Sequence, residues 1–502
     1  MTKKIQSRHG SDSRDYLTSF GMITPASSIH LVILILSLAL LAACSGQPTP
    51  TPLILLETPE STPTPTNPRI TNTPTATITP QPTSSIEINR SDLNGLTLTV
   101  WHPWSGDTGV AIRESIEEFN ATNEFDITVE STFQGTFNSL YERIEAAEPA
   151  AGLPNLTVGA NYQIQSWITS GKPVTSLTTF VNDPEWGLST EELTEFYSVF
   201  LEQDVNGQNR FGFPAVRSAP LMFYNTTWAE ELGFSSPPST SEEFKEQACA
   251  AARANNSNDL PEDDGSGGWL INTTPSGILS WMYAFGSSVI HPEGSGYLFN
   301  TPQTESSFLF LKELFDLGCA WEETESPAEI ELANRRALFI TGSLSDLTYQ
   351  ASEFERAGNN DVWTVTGFPS PQGDAVINVN GSSFVMFAGT PEENLATWLV
   401  IKWLSSPEQQ AKFIEARGTF PTRASAMDFL SSYARENPQW AAAQELLVIA
   451  HPEPGLESWR VVRWILGDVG TQIFRYYFTP DRIPATLELM DETAAELHNL
   501  ME

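Results

Sequence analysis

The hydrophobic pattern of the folded part of the chain opens with a strand followed by a helix. Leu96, Leu98 and Val100 alternate with two threonines, which predicts a strand. From about Asp107 the apolar positions change to helical spacing, which predicts an amphipathic helix. The pattern then repeats: a second strand with Phe125, Ile127 and Val129, a helix through Leu140 and Ile144, and a third strand with Leu156 and Val158. Repeated strand–loop–helix units favour an α/β fold with a parallel sheet.

The carboxyl ends of these three strands carry side chains suited to a polar ligand. Trp104 follows the first strand, Gln134 the second and Asn161 the third. In open parallel sheets, ligands bind outside the carboxyl ends of the strands. An aromatic ring can lie against the apolar face of a sugar, and amides can bond its hydroxyls. The three ends therefore suit a sugar or a polyol better than a phosphate.

The rest of the chain is longer and more helical. At 502 residues the chain exceeds what one hydrophobic core usually serves, so at least two lobes are expected. Apolar spacing predicts further elements: helices at about 241–253, 278–285, 307–317, 395–404 and 408–417, and strands at about 363–368 and 381–387.

The N-terminus is predicted to be an export signal. Four basic residues precede an apolar run at 31–43, which is shorter than the roughly 20 residues of a membrane-spanning helix. Small residues stand directly before Cys44, as in a bacterial lipobox. We therefore expect a signal peptide at 1–43, lipidation of Cys44 and a disordered Thr/Pro-rich linker at 44–93. The alternatives are an ordinary signal peptide and a membrane helix with an incidental cysteine.

Two further cysteines follow Cys44. Cys249 and Cys319 are expected to pair, because thiols in exported proteins commonly form disulfides. Pairing would close a loop of about 70 residues. The alternative is two separately buried free thiols.

Charge and motif content exclude several function classes. The formal net charge is −36, with 62 acidic against 26 basic residues. Such a surface repels phosphate backbones, so we expect no nucleic-acid partner. The sequence has no GxSxG elbow, HExxH helix or P-loop, and its histidines lack metal-ligand spacing. We therefore expect no catalytic residue, metal or cofactor. A secreted glycosidase, which needs two carboxylates, is the least favoured alternative.

Several segments resemble the family 1 extracellular solute-binding proteins of the maltose-binding type. In the family's order they are residues 211–214 (FGFP), 223–228 (FYNTTW), 232–244 (LGFSSPPSTSEEF), 336–343 (RALFITGS), 368–373 (FPSPQG), 380–383 (NGSS), 403–410 (WLSSPEQQ) and 418–423 (GTFPTR). Two departures stand out. Thr240 and Ser241 replace the usual Thr-Trp, and Leu344 stands where many members carry Trp.

The resemblance implies a two-lobe periplasmic-binding-protein-like fold with a central cleft. Hinge crossovers are expected near 219–223, 374–378 and 404–406. The N-terminal lobe would comprise 94–219 with 375–405, and the C-terminal lobe 221–374 with 406–502. A ligand in the cleft would favour the closed state, which is a hinge motion.

Ligand-binding residues follow partly from the strand ends and partly from the resemblance. The set is Trp104, Gln134, Asn161, Ser218, Trp281, Ser343, Arg423 and Trp459, with Arg217 as an alternative to Ser218. Structural roles stay open for several members. A tryptophan can belong to a core, the two amides can cap loops, and Arg423 can pair with a surface acid.

The function that these features favour is capture of a mono- or oligosaccharide for an ABC importer. The expected partners are permease subunits and, through the lipid anchor, the outer face of a cell membrane; the protein is expected to be a monomer. Two alternatives stay open: a binding protein for a polyol or a glycerol-phosphate-type solute, and a surface sensory or adhesion module of the same fold.

Overall fold

The computed structural model describes residues 83–148, 152–323 and 325–501. The predicted signal peptide, Cys44 and most of the predicted linker lie outside the described residues. The packed chain begins before the predicted boundary at residue 94. Ser84 and Ser85 both bond the carboxylate of Asp183, and Leu93 is fully buried.

Thirteen strands occur among the described residues. They are β1 (Thr97–His102), β2 (Thr128–Phe133), β3 (Leu156–Gly159), β4 (Val205–Asn206), β5 (Asn209–Arg210), β6 (Phe213–Ser218), β7 (Pro220–Asn225), β8 (Gly267–Leu270), β9 (Ala320–Trp321), β10 (Ala337–Ser343), β11 (Trp363–Thr366), β12 (Ile377–Met386) and β13 (Ala450–Pro452).

The helices of the described residues cover the faces of the sheets. They are α1 (Gly106–Thr122), α2 (Phe137–Ala146), α3 (Asn161–Thr169), α4 (Thr178–Asn182), α5 (Thr190–Thr194), α6 (Ser198–Leu201), α7 (Thr226–Glu231), α8 (Ser241–Asn255), α9 (Pro275–Ala284), α10 (Pro302–Asp316), α11 (Ala328–Ala333), α12 (Leu347–Ala357), α13 (Pro391–Leu404), α14 (Pro407–Arg417), α15 (Ser431–Glu436), α16 (Pro438–Glu445), α17 (Trp459–Ile473) and α18 (Ile483–Asn499). Short 3-10 turns occupy Arg90–Leu93, Leu344–Asp346, Ala424–Phe429, Leu446–Ile449 and Pro480–Arg482.

Two sheets organise the molecule, and each belongs to one lobe. The first has the order β13-β12-β3-β1-β2, with β6 also paired to β12. Its β1 pairs with β2 and β3 in parallel, as the strand–helix repeats predicted. The second sheet has the order β11-β7-β10-β8-β9. The α/β fold class predicted from the sequence is confirmed.

Each sheet has its own hydrophobic core, and a third cluster joins them. Leu98, Ile112 and Phe384 lie in the core of the first sheet. Trp269 and Phe339 lie in that of the second. The third cluster draws on strands of both sheets and on α14 and α16. Helix α14 also packs against α1 of the first lobe, so it bridges the two lobes, whereas the sequence assigned residues from 406 onward to the second lobe.

The chain passes between the sheets at two places close to those that the sequence indicated. It leaves β6 at Ser218 and enters β7 at Pro220, with Ala219 fully buried between them. It returns between Thr366, the end of β11, and Ile377, the start of β12. These passages form the junction of the lobes.

A buried ion pair braces the first passage. Arg217 is fully buried, and its Nη2 lies 3.7 Å from a carboxylate oxygen of Asp204, which is also buried. Arg217 donates to the Ser383 hydroxyl at 2.8 Å and to the Ser382 carbonyl at 2.5 Å. The same Ser383 hydroxyl donates to Asp204. The network therefore joins the loop before β4 to β6 and β12.

The second strand starts later than its apolar pattern indicated. Asp126 adopts a left-handed backbone with φ of 52°, which interrupts the extended chain. The Asn123 side chain accepts from the Ile127 amide at 2.8 Å and donates to the Ile127 carbonyl at 2.9 Å. These bonds replace the ladder bonds of a strand, so β2 begins at Thr128.

Cys249 of α8 and Cys319, which lies just before β9, form a disulfide with 70 residues of sequence separation. The predicted pairing is confirmed. Within the ranges that the structure describes, no helix is both long enough and apolar enough to cross a membrane.

Candidate ligand-binding site between the lobes

A cavity of about 360 Å³ lies between the two sheets. The first lobe contributes the start of α3 and the middle of β12, and the second lobe contributes α9, the end of β10 and α17. The hinge contributes Ser218. This volume falls within the range of about 300–1,000 Å³ that small-molecule sites occupy.

The first turn of α3 brings an amide and a phenol into the cavity. Strand β3 ends at Gly159, where an added Cβ would lie 2.7 Å from the Trp167 ring, so the chain turns there without a side chain. The Gln163 side chain then accepts from the Ala160 amide at 2.9 Å and caps the helix. Asn161 and Tyr162 follow the turn and line the cavity.

Serine hydroxyls line the hinge side of the cavity. The hydroxyls of Ser218 and Ser343 lie 3.1 Å apart across the two sheets. Ser343 also bonds the Ser345 hydroxyl at 3.0 Å, and its amide donates to Asp346 at 2.7 Å. Burial raises the pKa of Asp346, and the bond from the Ser343 amide opposes this. This wall can donate and accept hydrogen bonds.

An ionic network forms the opposite wall. Arg463 of α17 donates to the Tyr162 hydroxyl at 3.3 Å and to the Ser276 hydroxyl at 3.2 Å. Its guanidinium lies 3.5 Å from a carboxylate oxygen of Glu453, which also accepts from Ser276 at 2.5 Å. Burial raises the pKa of Tyr162, so the phenol stays protonated near neutral pH. The bond from Arg463 to Tyr162 therefore joins the two lobes across the cavity.

Some polar atoms in the cavity wall are buried but have no hydrogen-bond partner among the described residues. They include the Asn161 amide oxygen and the Ser382 hydroxyl. Buried polar atoms are nearly always bonded, because leaving one unpaired costs about 1–3 kcal/mol. The wall therefore contains polar groups whose hydrogen-bonding capacity the fold itself does not use.

A second cavity, of about 540 Å³, adjoins the first and shares Asn161 with it. Its walls come from α3 and β4 of the first lobe and from the loop before α17 in the second lobe. The two cavities therefore meet at Asn161.

Three of the predicted binding residues, Asn161, Ser218 and Ser343, line the first cavity between the lobes. Asn161 follows the third predicted strand, whereas Ser218 and Ser343 were expected from the resemblance to the family. Their role in binding stays a prediction.

The three predicted tryptophan plates are corrected, because each ring is buried in a core. Trp104 is 2% exposed and stacks on His102. Trp281 and Trp459 are fully buried in the second lobe. Trp459 stacks on Tyr297, so its faces are not free for a sugar.

The remaining two predicted residues also lie elsewhere. Gln134 is 7% exposed and does not line the cavity between the lobes. Arg423 is buried, and its guanidinium pairs with Glu195 and donates to the Ser405 carbonyl at 3.2 Å. It lines a separate cavity beside α1 and α13. Arg423 therefore has the structural role that the sequence left open as its alternative.

The sequence patterns did not identify several residues of the cavity wall. Tyr162 directly follows Asn161 after the third predicted strand, and Ser382 lies in the NGSS segment of the resemblance. Arg463 lies four positions after Trp459, on the side of α17 that faces the first lobe. Helical spacing could have found Arg463. No local pattern marked Ser276 or Arg417, which also line the cavity.

A sequence profile described as "Bacterial extracellular solute-binding protein" matches residues 114–446, well over half of the chain. The chain belongs to the bacterial extracellular solute-binding proteins. A curated binding protein from Brucella abortus (strain 2308) is 23% identical over 305 residues, which is 60% of this chain and 72% of that protein.

Solved structures share the fold of this solute-binding protein. The sugar-binding protein MalE from Xanthomonas citri is 19% identical, with a TM-score of 0.69 over 80% of this chain and 97% of that one. The cyclic alpha-maltosyl-1,6-maltose binding protein from Arthrobacter globiformis is 16% identical, with a TM-score of 0.68 over 81% and 100%. UgpB from Mycobacterium tuberculosis, in complex with glycerophosphocholine, is 16% identical, with a TM-score of 0.64 over 80% and 98%. The two-lobe fold predicted from the resemblance is confirmed.

The family and these structures are solute-binding proteins rather than enzymes. In the part of the chain that the structure describes, no group of three or more His, Cys, Asp or Glu side chains is arranged to hold a metal ion. The chemistry of the cavity is hydrogen bonding and charge pairing.

Proposed function

We propose that this solute-binding protein captures a carbohydrate in the cavity between its lobes and delivers it to the permease subunits of an ABC importer. The single observation that carries the proposal is the cavity wall itself. It combines serine hydroxyls, side-chain amides and two aromatic side chains, Phe137 and Tyr162. Sugars present the complementary surface of hydroxyls around apolar ring faces.

The unpartnered Asn161 oxygen and Ser382 hydroxyl support a ligand rich in hydroxyls. A sugar hydroxyl both donates and accepts, so it can donate to Asn161 and accept from Ser382. Each such bond to a buried neutral group contributes about 0.5–1.5 kcal/mol. A purely apolar ligand would leave both groups unsatisfied.

The proposal extends to the N-terminus. A lipidated Cys44 followed by the Thr/Pro-rich segment would hold the binding lobes outside the cell, near the importer. The family's extracellular character and the apolar run before Cys44 support this. Mass spectrometry of the mature N-terminus tests it: a diacylglyceryl group on Cys44 is expected, and an unmodified Cys44 in the mature chain would contradict it.

A thermal-shift screen tests the ligand class. The purified protein is heated with neutral sugars, sugar acids, polyols, amino acids and phosphorylated glycerol compounds. A solute that binds the native state stabilises it by about 2.7 kcal/mol at a hundred times its Kd. A saturable rise with a carbohydrate supports the proposal. A saturable rise with an amino acid alone, or no rise with any solute, would contradict it.

A matched pair of variants links the response to the cavity. Asn161→Ala removes the unpartnered oxygen and should weaken carbohydrate binding about two- to tenfold. Asn138→Ala is the control, because Asn138 is exposed on α2 and bonds Glu142. Equal binding by the two variants would remove Asn161 from the site.

A further inference from the structure

The cavity contains one cation that its ionic network leaves without a partner. Arg417 is the last residue of α14, and its side chain lines the cavity between the lobes. Among the described residues its guanidinium makes no hydrogen bond and no ion pair. Burial lowers the pKa of Arg417, and no nearby carboxylate opposes this shift. The guanidinium is still protonated near neutral pH.

Three other arginines near the hinge and the cleft are already paired with carboxylates, and Arg460, which has no ion pair, lies over the Tyr141 ring and does not line the cavity. Arg463 is held by Glu453, Arg217 by Asp204 and Arg423 by Glu195. Arg423 and, as an alternative to Ser218, Arg217 are among the ligand-binding residues that the sequence predicts. Both are paired and buried, so neither guanidinium is available to a ligand in the cavity.

The charge balance of the cavity wall also indicates an unpaired positive charge. The ionised side chains in its wall are Arg417, Arg463 and Glu453, which leaves one positive charge in excess. The chain as a whole carries a formal charge of −36. The cavity wall is therefore net positive although the chain as a whole is strongly negative. Clefts with low-dielectric walls strengthen the field of such a charge.

We propose that the ligand carries an oxyanion, a carboxylate or a phosphate on a hydroxyl-bearing body, and that Arg417 binds it. This inference rests on the proposed function and narrows its substrate class. A guanidinium bonds a carboxylate or phosphate through two parallel N–H groups, which is the strong geometry for this pair. The unpartnered Ser382 hydroxyl donates to the same ligand, and the serines of the hinge side face its hydroxyls.

Two solute classes offer this chemistry: acidic sugars and phosphorylated glycerol compounds. Matched probes separate them. D-glucuronate is compared with D-glucose, galacturonate oligomers with neutral galactose oligomers, and glycerol 3-phosphate with glycerol. Inorganic phosphate tests the oxyanion alone. Binding of each probe to the purified full chain is measured by calorimetry at constant ionic strength.

Arg417→Gln is the test variant, because it removes the charge and keeps a polar side chain of similar length. Arg253→Gln is its control: Arg253 also lies in the last turn of a helix but is exposed outside the cavity. The expected result has two parts. In one pair, the anionic probe binds the wild type at least about tenfold more tightly than its neutral counterpart. This ratio of affinities falls close to one in Arg417→Gln and is unchanged in Arg253→Gln.

Each outcome decides the inference. A preference for the sugar acid that depends on Arg417 supports both the inference and the proposed function. A preference for glycerol 3-phosphate that depends on Arg417 supports the inference and overturns the carbohydrate assignment. If the neutral sugars bind at least as tightly as their anionic counterparts, the inference is overturned and the proposed function stands. An anion preference that survives in Arg417→Gln also overturns the inference. The absence of binding by every anionic probe overturns the inference as well, whereas the thermal-shift screen decides the proposed function.

Discussion

Removing one partner of the buried pair of Asp204 and Arg217 should be among the most destabilising single substitutions at the hinge. Both side chains are 1% exposed, and the charged atoms lie 3.7 Å apart. Burial lowers the pKa of Arg217 to about 10, so the guanidinium keeps its charge at neutral pH. Asp204→Asn keeps the size of the side chain but leaves that buried charge without an anionic partner.

The expected cost of Asp204→Asn is about 3–5 kcal/mol, because breaking one side of a buried pair leaves an uncompensated charge. Asn also tolerates the left-handed backbone that Asp204 adopts, with φ of 60°. Strain from the substitution itself is therefore small. The loss arises from the missing charge and from the altered bond to Ser383.

Asp126→Asn is the matched control. Asp126 has a similar left-handed backbone, with φ of 52°, but its side chain is exposed. Its substitution should change stability by less than about 0.5 kcal/mol. Urea unfolding, followed by tryptophan fluorescence, gives both values. A fall in the midpoint of Asp204→Asn with an unchanged slope is expected. A loss no larger than that of the control would refute the reasoning.

Three further predictions concern stability. Replacing Cys249 and Cys319 with serine should lower the free energy of unfolding by about 4 kcal/mol, since the disulfide closes a long loop. Urea unfolding of the wild type and the double variant, each with and without reductant, checks this; a wild type that is no more stable than the variant without reductant would contradict it. Burial lowers the pKa of His102 to about 4 from its ordinary value of 6.5, so its stabilising effect is complete above about pH 6.5 and is lost as the pH falls toward 4. The wild type should therefore lose up to about 3 kcal/mol over that range relative to His102→Gln, and parallel acid profiles of the two proteins would count against the assigned pKa. Trp459→Ala should cost about 3–5 kcal/mol of folding stability because the ring is core and its Nε1 donates to Glu453 at 3.2 Å; an unfolding curve like that of the wild type would contradict this placement.

Much of the fold was readable from the sequence because local periodicity reports local structure. The alternation at Leu98 and Val100 and the helical spacing after Asp107 both match the observed elements. The start of β2 was misplaced because the apolar pattern extends through the turn at Asp126. Periodicity records which side chains are buried, and it does not report a left-handed residue inside the pattern.

The candidate site was only partly readable, and the aromatic residues show why. Trp459 and Arg463 lie four positions apart on α17, yet one faces the core and the other faces the cleft. A tryptophan suits both environments, so its identity does not choose between them. Arg417 was hidden for a different reason. An arginine in the last turn of a helix before a glycine is typical of ordinary helix ends.

The polar atoms without partners could be found only from three-dimensional structure. Ser382 belongs to a segment of the resemblance, but its spare hydroxyl depends on what surrounds β12 in space. The same holds for the carboxylates that engage Arg217 and Arg423, which come from distant parts of the chain. Pairing of this kind decides which cations remain free for a ligand.

The most direct test of the central claim is a calorimetric titration of the wild type and of Ser382→Ala with the carbohydrate that gives the largest thermal shift. Ser382 is 3% exposed and its hydroxyl has no partner among the described residues, so its removal should leave the fold intact. We predict one binding site per chain, with affinity about two- to tenfold weaker in the variant and unchanged unfolding. Saturable binding that is equally tight in both proteins would contradict the placement of the sugar in this cavity.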